Sequence, residues 1–256
     1  MTGHLARQLS AIARITVGAV ATVHERRAHY ARALVGPAVV FVALALSRGP
    51  AQSSPLAGAL FALAHVLVYT VIAVTSHRIT LLGPNAVSRW GNLRFGPREL
   101  RFLSNFLMLL AVLVGLVFAA GLVLVLPLVA LTGVQESQAA SERIVTVASS
   151  LLSLVAMYFL ARLSLVFPAA SLDEDLSFSD SWRLTADHQG LMLFVTLVLP
   201  VIANLPAMAL AGTQSLVVHL GLQLFSLVAV VVIVTALSLA YLELRDRPPR
   251  PPTAGA

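Results

Sequence analysis

Arg162 stands four residues after Tyr158 and five before Phe167, at the end of a long apolar run. An ionised side chain there must reach water or find a partner. Two roles fit it: an anchor for a lipid phosphate or substrate anion, or a structural pair with an acid of the following segment, such as Asp173 or Asp180. Asp173, Glu174 and Asp175 are consecutive, a cluster whose oxygens could gather a hard divalent cation. Adjacent loop acids are more commonly just solvated.

A second set consists of polar residues inside apolar runs. His65 is one. His219 and Gln223 share a helix face one turn apart, and a partner imidazole would complete a path for protons or substrate. Hydrogen bonding between helices is the plainer account of the same residues. Pro200, Asn204 and Pro206 interrupt another run, and broken helices can build transport sites, although isolated prolines also simply kink membrane helices. His65, Asn204, His219 and Gln223 are therefore the transport-path candidates. A third set pairs arginines with tryptophans: Arg78, Arg89, Trp90, Arg94, Arg98, Arg162 and Trp182 are the headgroup-binding candidates, because tryptophan favours the membrane–water boundary and arginine meets anionic lipid there.

Enzyme signatures are missing. His24-Glu25 with His29 places the histidines five residues apart, whereas the metalloprotease pattern needs four. No glycine-rich loop ends in lysine, and without cysteine there is no disulfide, thiolate metal site or thiol nucleophile. The sequence gives no catalytic residue, cofactor or metal centre.

These residues must be positioned by membrane helices. The 256 residues are 58% hydrophobic and 11% charged, with a mean hydropathy of +0.89, against about a quarter charged in soluble domains. Six apolar runs near the roughly 20 residues needed to cross a bilayer are expected at Ala31–Ser47, Leu56–Ser76, Phe102–Leu131, Ile144–Phe167, Gly190–Gly212 and Ser215–Leu242. The third exceeds the bilayer and should tilt or project. Ser54 and Pro55 read as cap and first residue of the second helix. Pro37 begins or kinks the first span, and Pro168 closes the fourth. Segments 77–101 and 169–189 read as interfacial loops, the second holding a short helix capped by Ser179 or Ser181.

Residues 1–30 form an amphipathic segment with an apolar stripe of Leu5, Leu9, Ile12, Thr16, Ala19 and Val23 opposite Arg7 and Arg14. It either lies in the interface or packs on the protein. Residues 31–242 are the transmembrane domain and 243–256 a proline-rich, disordered tail. Leu124–Pro127 and Leu197–Pro200 repeat one tetrapeptide, a faint sign of a repeated helix pair.

All 17 basic residues are arginines. Threading six spans leaves only Arg48 and Arg143 on one side, and this asymmetry places both termini in the cytoplasm of a bacterial inner membrane. A positive charge of this kind faces anionic lipid, since nucleic-acid binding requires a solvated basic face with base-reading side chains.

Tyr158 to Thr185, with Arg162, Pro168, the acidic segment and Ser181-Trp182-x2-Thr185, resembles the membrane domain of some glycerophosphodiester phosphodiesterases and of YciC-like inner-membrane proteins. His77-Arg78, Arg89-Trp90-Gly91 and Arg98-Glu99-Leu100-Arg101-Phe102 look like the earlier loop of stand-alone members. The likeness covers about residues 60–190. It implies a six-helix membrane fold and carries no catalytic residue, because the phosphodiesterase domain has no counterpart here.

The sequence thus predicts an all-α polytopic protein, non-enzymatic, whose arginine-rich loops dock anionic lipid in the phospholipid bilayer, with room for a membrane-protein partner or homo-oligomer. The alternative is a small transporter or channel built on the Pro200-Asn204-Pro206 break.

Overall fold

The computed structural model describes residues 2–47, 54–87, 95–132, 138–210, 212–213 and 215–246. Its helices are α1 (Thr2–Glu25), α2 (Arg27–Leu46), α3 (Pro55–Leu82), α4 (Pro97–Thr132), α5 (Gln138–Leu163), α6 (Val166–Ser171), α7 (Phe178–Leu184), α8 (Gln189–Leu193), α9 (Leu199–Ala209) and α10 (Leu216–Arg245). A 3-10 turn covers Pro84–Ala86, and a π turn at Phe194–Val198 joins α8 to α9. Among the described residues, six segments are long and apolar enough to cross a membrane: α2, α3, α4, α5, α8–α9 and α10. No strand occurs among the described residues. This is an all-α, multi-pass membrane protein.

Local chemistry explains several helix ends. Ser54 accepts the Ala57 N–H at 3.1 Å, with Pro55 as the first helical residue of α3. Glu99 Oε2 takes the Gly96 N–H at 2.9 Å, so Pro97 and Glu99 start α4. Between α1 and α2 the chain breaks only at Arg26 (φ −97°, ψ 15°), whose guanidinium donates to the Ile79 and Thr80 carbonyls of α3.

Several boundaries differ from the sequence reading. α3 continues to Leu82 and α4 begins at Pro97, which turns His77–Leu82 and Pro97–Arg101 from loop into helix. Pro37 lies inside α2, neither starting nor ending it. The fourth span ends at Leu163, and Pro168 sits inside the separate helix α6. As the third residue of α6 it occupies the first turn, where a backbone N–H would have no intrahelical acceptor. The cap of α7 is Ser177, reciprocated by Asp180 in a capping box, rather than Ser179 or Ser181. α10 extends three residues past the expected Leu242; from residue 247 the tail lies outside the described residues.

The core is concentrated at the end of the bundle that carries the arginines. There α6 is wholly buried, packed against α3, α4 and α10. Ala161, Ala169, Ala236 and Ala240 bring neighbouring backbones close around Leu165, Leu191, Met192 and Tyr241. In lipid, close approach of small residues contributes more to association than apolar character, which the acyl chains also supply. At the opposite end many large apolar side chains remain exposed, among them Leu56, Leu60, Phe118, Val123, Leu154 and Val217.

α1 packs along the last turns of α10. Ala11, Ile15 and Ala19 are buried, Arg14 pairs with Glu243 at 2.6 Å, and a Cβ on Gly18 would stand 3.3 Å from Leu239 Cδ1. Leu9, expected in the apolar stripe, is 59% exposed, as are Val17 and Val20 by more than half. The segment therefore has two apolar faces, one closed by α10 and one open.

Candidate functional site

The polar contacts between helices gather at the arginine-rich end. Tyr30 Oη is 2.8 Å from Thr80 Oγ1 and 3.2 Å from Thr235 Oγ1, linking α2, α3 and α10. His77 Nδ1 lies 2.7 Å from Ser238 Oγ. Both groups are buried, so each hydroxyl or ring nitrogen uses a protein partner in place of water.

Next to this seam, α3, α4 and the turn after α6 surround a cavity of about 410 Å³ lined by Thr75, Arg78, Arg98, Glu99 and Asp173, among others. Arg78 Nη1 donates to the Ser171 carbonyl at 2.9 Å and lies 3.8 Å from Asp173 Oδ2. Arg98 grips Asp173 by Nε and Nη2 at 3.0 and 2.6 Å. The hydrogen bond from Arg98 holds the Asp173 carboxyl below its ordinary value of 3.8.

Asp173 owes its position to the end of α6. Glu174 N–H bonds the Ala169 carbonyl and Asp173 N–H the Ala170 carbonyl, at 3.0 and 3.3 Å. Those are the paired bonds of a Schellman ending, and Asp173, with φ 64°, fills the left-handed position that usually holds glycine. Its neighbours diverge: Glu174 takes Arg245 at 2.9 Å and the Tyr241 hydroxyl, while Asp175 faces Arg101 at 3.4 Å. The three acids thus serve separate arginines, Asp173 two of them and its neighbours one each, instead of one cation, and among the described residues no group of three metal-ligating side chains forms.

Arg162 is 2% exposed, and neither Asp173 nor Asp180 pairs with it. Its Nη2 donates to the Trp182 carbonyl at 2.5 Å, its Nη1 to Tyr158 Oη at 3.3 Å, and its Nε has no partner. The guanidinium lies 4.1 Å from the Trp182 ring centroid and 5.9 Å from that of Tyr158. The Arg162 carbonyl in turn accepts Ser181 Oγ at 2.8 Å and Thr185 Oγ1 at 3.2 Å. The Ser-Trp-x2-Thr motif is therefore a clasp around one residue. It ties α7 to the end of α5, and it replaces an acid by a carbonyl and aromatic faces. Asp180 is engaged elsewhere, in the Ser177 cap and with Arg183; the Ser177 hydrogen bond holds its carboxyl below the ordinary range.

Of the headgroup candidates, the structure brings Arg78 and Arg98 to one cavity and Arg162 and Trp182 to one clasp. Arg89, Trp90 and Arg94 lie outside the described residues. The transport-path candidates are not joined by the contacts found. His65 Nδ1 is 3.0 Å from the Phe61 carbonyl, and its ring packs on Phe41 and Phe61. Asn204 is exposed and donates to the Pro200 carbonyl at 2.8 Å, inside its own helix. His219 and Gln223 meet each other along α10, at 3.5 Å. The break in the fifth span is a π turn just before Pro200, and the chain stays helical through Pro206. The tetrapeptide at Leu124–Pro127 falls within α4, with no such turn.

Sequence reasoning missed Asp173 as the meeting point of two arginines, and it missed the Tyr30–Thr80–Thr235 and His77–Ser238 contacts. Single hydroxyls near the basic ends of three apolar helices were the available signal. Compared with protein-family models, curated proteins and solved structures, the chain matches none. The fold and this one-ended polar layer define its class as an α-helical multi-pass membrane protein.

Proposed function

We propose that the protein is a YciC-like, non-enzymatic component of a bacterial cytoplasmic membrane, with both termini in the cytoplasm, whose arginine-rich face docks anionic phospholipid headgroups. The observation that carries this reading is the cavity bearing Arg78 and Arg98. Both guanidinium groups are partly exposed, at 15% and 33% of their side chains, and are set by α3 and α4 on the end where the bundle is most firmly packed. Around them Arg14, Arg101 and Arg183 extend further into solvent, supplying the longer-range attraction that draws anionic lipid, about 1 kcal/mol per residue near such a surface. Arg162 and Trp182 support the platform from beneath by fixing α7.

Native mass spectrometry of the full chain extracted with its lipids tests this. Wild type should retain anionic phospholipid, and replacing Arg78, Arg89, Arg94 and Arg98 together by glutamine should strip it while the protein stays folded. Undiminished retention would remove the proposal's support.

A further inference from the structure

Within the lipid-docking reading, on which this inference rests, the Arg78–Arg98 cavity has features of a receptor with its own occupant. Arg98 holds Asp173 through two nitrogens, the fork geometry by which guanidinium also holds phosphate. Asp173 keeps a side chain at φ 64°, a backbone conformation in which glycine would be unstrained. Its side chain is 49% exposed, so it can swing into water without stranding a buried charge. Thr75 lines the same cavity at 1% exposure, and its Oγ1 has no hydrogen-bond partner. A buried hydroxyl ordinarily finds a partner.

Glu99 also lines the cavity, 6% exposed, with its Oε2 on the Gly96 N–H at the start of α4, and its carboxylate offsets part of the charge of the two arginines. Three side chains that carry donors therefore line the space left when Asp173 withdraws: Arg78, Arg98 and Thr75. A phosphate diester offers two free oxygens and a monoester three. We propose that the cavity is a receptor for a phosphate monoester, carried by a lipid of the phosphatidic acid type, and that Asp173 occupies its arginines until the phosphate displaces it.

The test is titration of the full-length protein in detergent with dioctanoyl phosphatidic acid, dioctanoyl phosphatidylglycerol and inorganic phosphate, read by calorimetry. Asp173→Asn tolerates the left-handed backbone and removes the competing charge, so it should bind phosphatidic acid about three- to fivefold more tightly, the equivalent of one exposed ion pair. Thr75→Val should weaken binding about fivefold and Arg98→Gln about tenfold. Thermal unfolding checks that each variant is folded, and Asp173→Gly, which suits the same backbone, repeats the first measurement.

Unchanged or weaker binding by both Asp173 variants overturns the displacement idea; if Arg98→Gln still loses anionic lipid, the broader docking reading stands. Undiminished binding of every anionic lipid by Arg78→Gln and by Arg98→Gln overturns both. Equal affinity for phosphatidylglycerol refutes the monoester preference, and inorganic phosphate binding as tightly as phosphatidic acid refutes the lipid source.

Discussion

The Arg162 clasp makes a quantitative prediction. Removing the Trp182 ring with Trp182→Leu costs two things: ring packing against Phe159 and Tyr158, at 5.3 and 5.9 Å between centroids, and the cation–π contact at 4.1 Å. Repeating the change in an Arg162→Met background costs only the packing, because the cation has gone. The difference between the two costs isolates the cation–π coupling, expected at about 1–2 kcal/mol for a desolvated guanidinium over indole. Arg162→Met alone should be mild, below about 1.5 kcal/mol. It removes a charge with an unpaired Nε, and the Thr185 hydroxyl, whose one proton is shared among the Ser181, Trp182 and Arg162 carbonyls at 2.8, 3.2 and 3.2 Å, can turn to the Trp182 carbonyl. Arg162→Ala, which also empties the space of the stem, should cost about 3 kcal/mol. Reversible unfolding in mixed micelles, followed by circular dichroism at 222 nm, supplies all the values. A coupling within about 0.3 kcal/mol of zero, or Arg162→Met as damaging as Arg162→Ala, would refute the claim that Trp182 compensates the buried charge.

The other expectations concern the contacts around this clasp. Ser181→Ala with Thr185→Val should detach α7, at about 1 kcal/mol for each lost bond to the Arg162 carbonyl, and hydrogen exchange should rise in residues 178–185 with little change in α2. Because the Asp173 carboxyl is held below 3.8, its contribution is complete above that value and fades as pH falls through the lower, folded-state value. Protection of residues 172–177, taken relative to the intrinsic exchange rate at each pH, should therefore fall in acid for wild type and lose that pH dependence in Asp173→Asn. Since the chain has no cysteine, Arg14→Cys with Glu243→Cys gives a clean pair for a short thiol crosslinker. It should join α1 to α10 efficiently, and Gly18→Leu should abolish the product by driving into Leu239.

Long apolar runs made the six spanning helices legible, because lipid leaves a spanning backbone no other way to satisfy its polar groups. Residues whose role is tertiary were harder to read. Pro168 looks like a terminator until α6 is seen to start two residues before it. Arg26 ends α1 without glycine or proline, and the carbonyls it reaches belong to α3, about fifty residues on in sequence. Arg162 was recognisable as costly, yet an acid seemed the natural partner; that a backbone carbonyl and an indole replace it depends on how α7 folds back. For Asp173, a run of three acids hides the one at the left-handed position, since the backbone angle comes from the Schellman ending and has no local signature in aspartate.

The central claim is that the arginine-rich face recognises anionic headgroups through Arg78 and Arg98, and the most direct measurement is the thermal unfolding midpoint of the detergent-solubilised protein across titrations with phosphatidic acid and phosphatidylcholine of equal chain length. The account predicts a saturable rise with the anionic lipid only, and its loss in Arg78→Gln/Arg98→Gln. Equal stabilisation by both lipids, or an undiminished rise in the double variant, would contradict it.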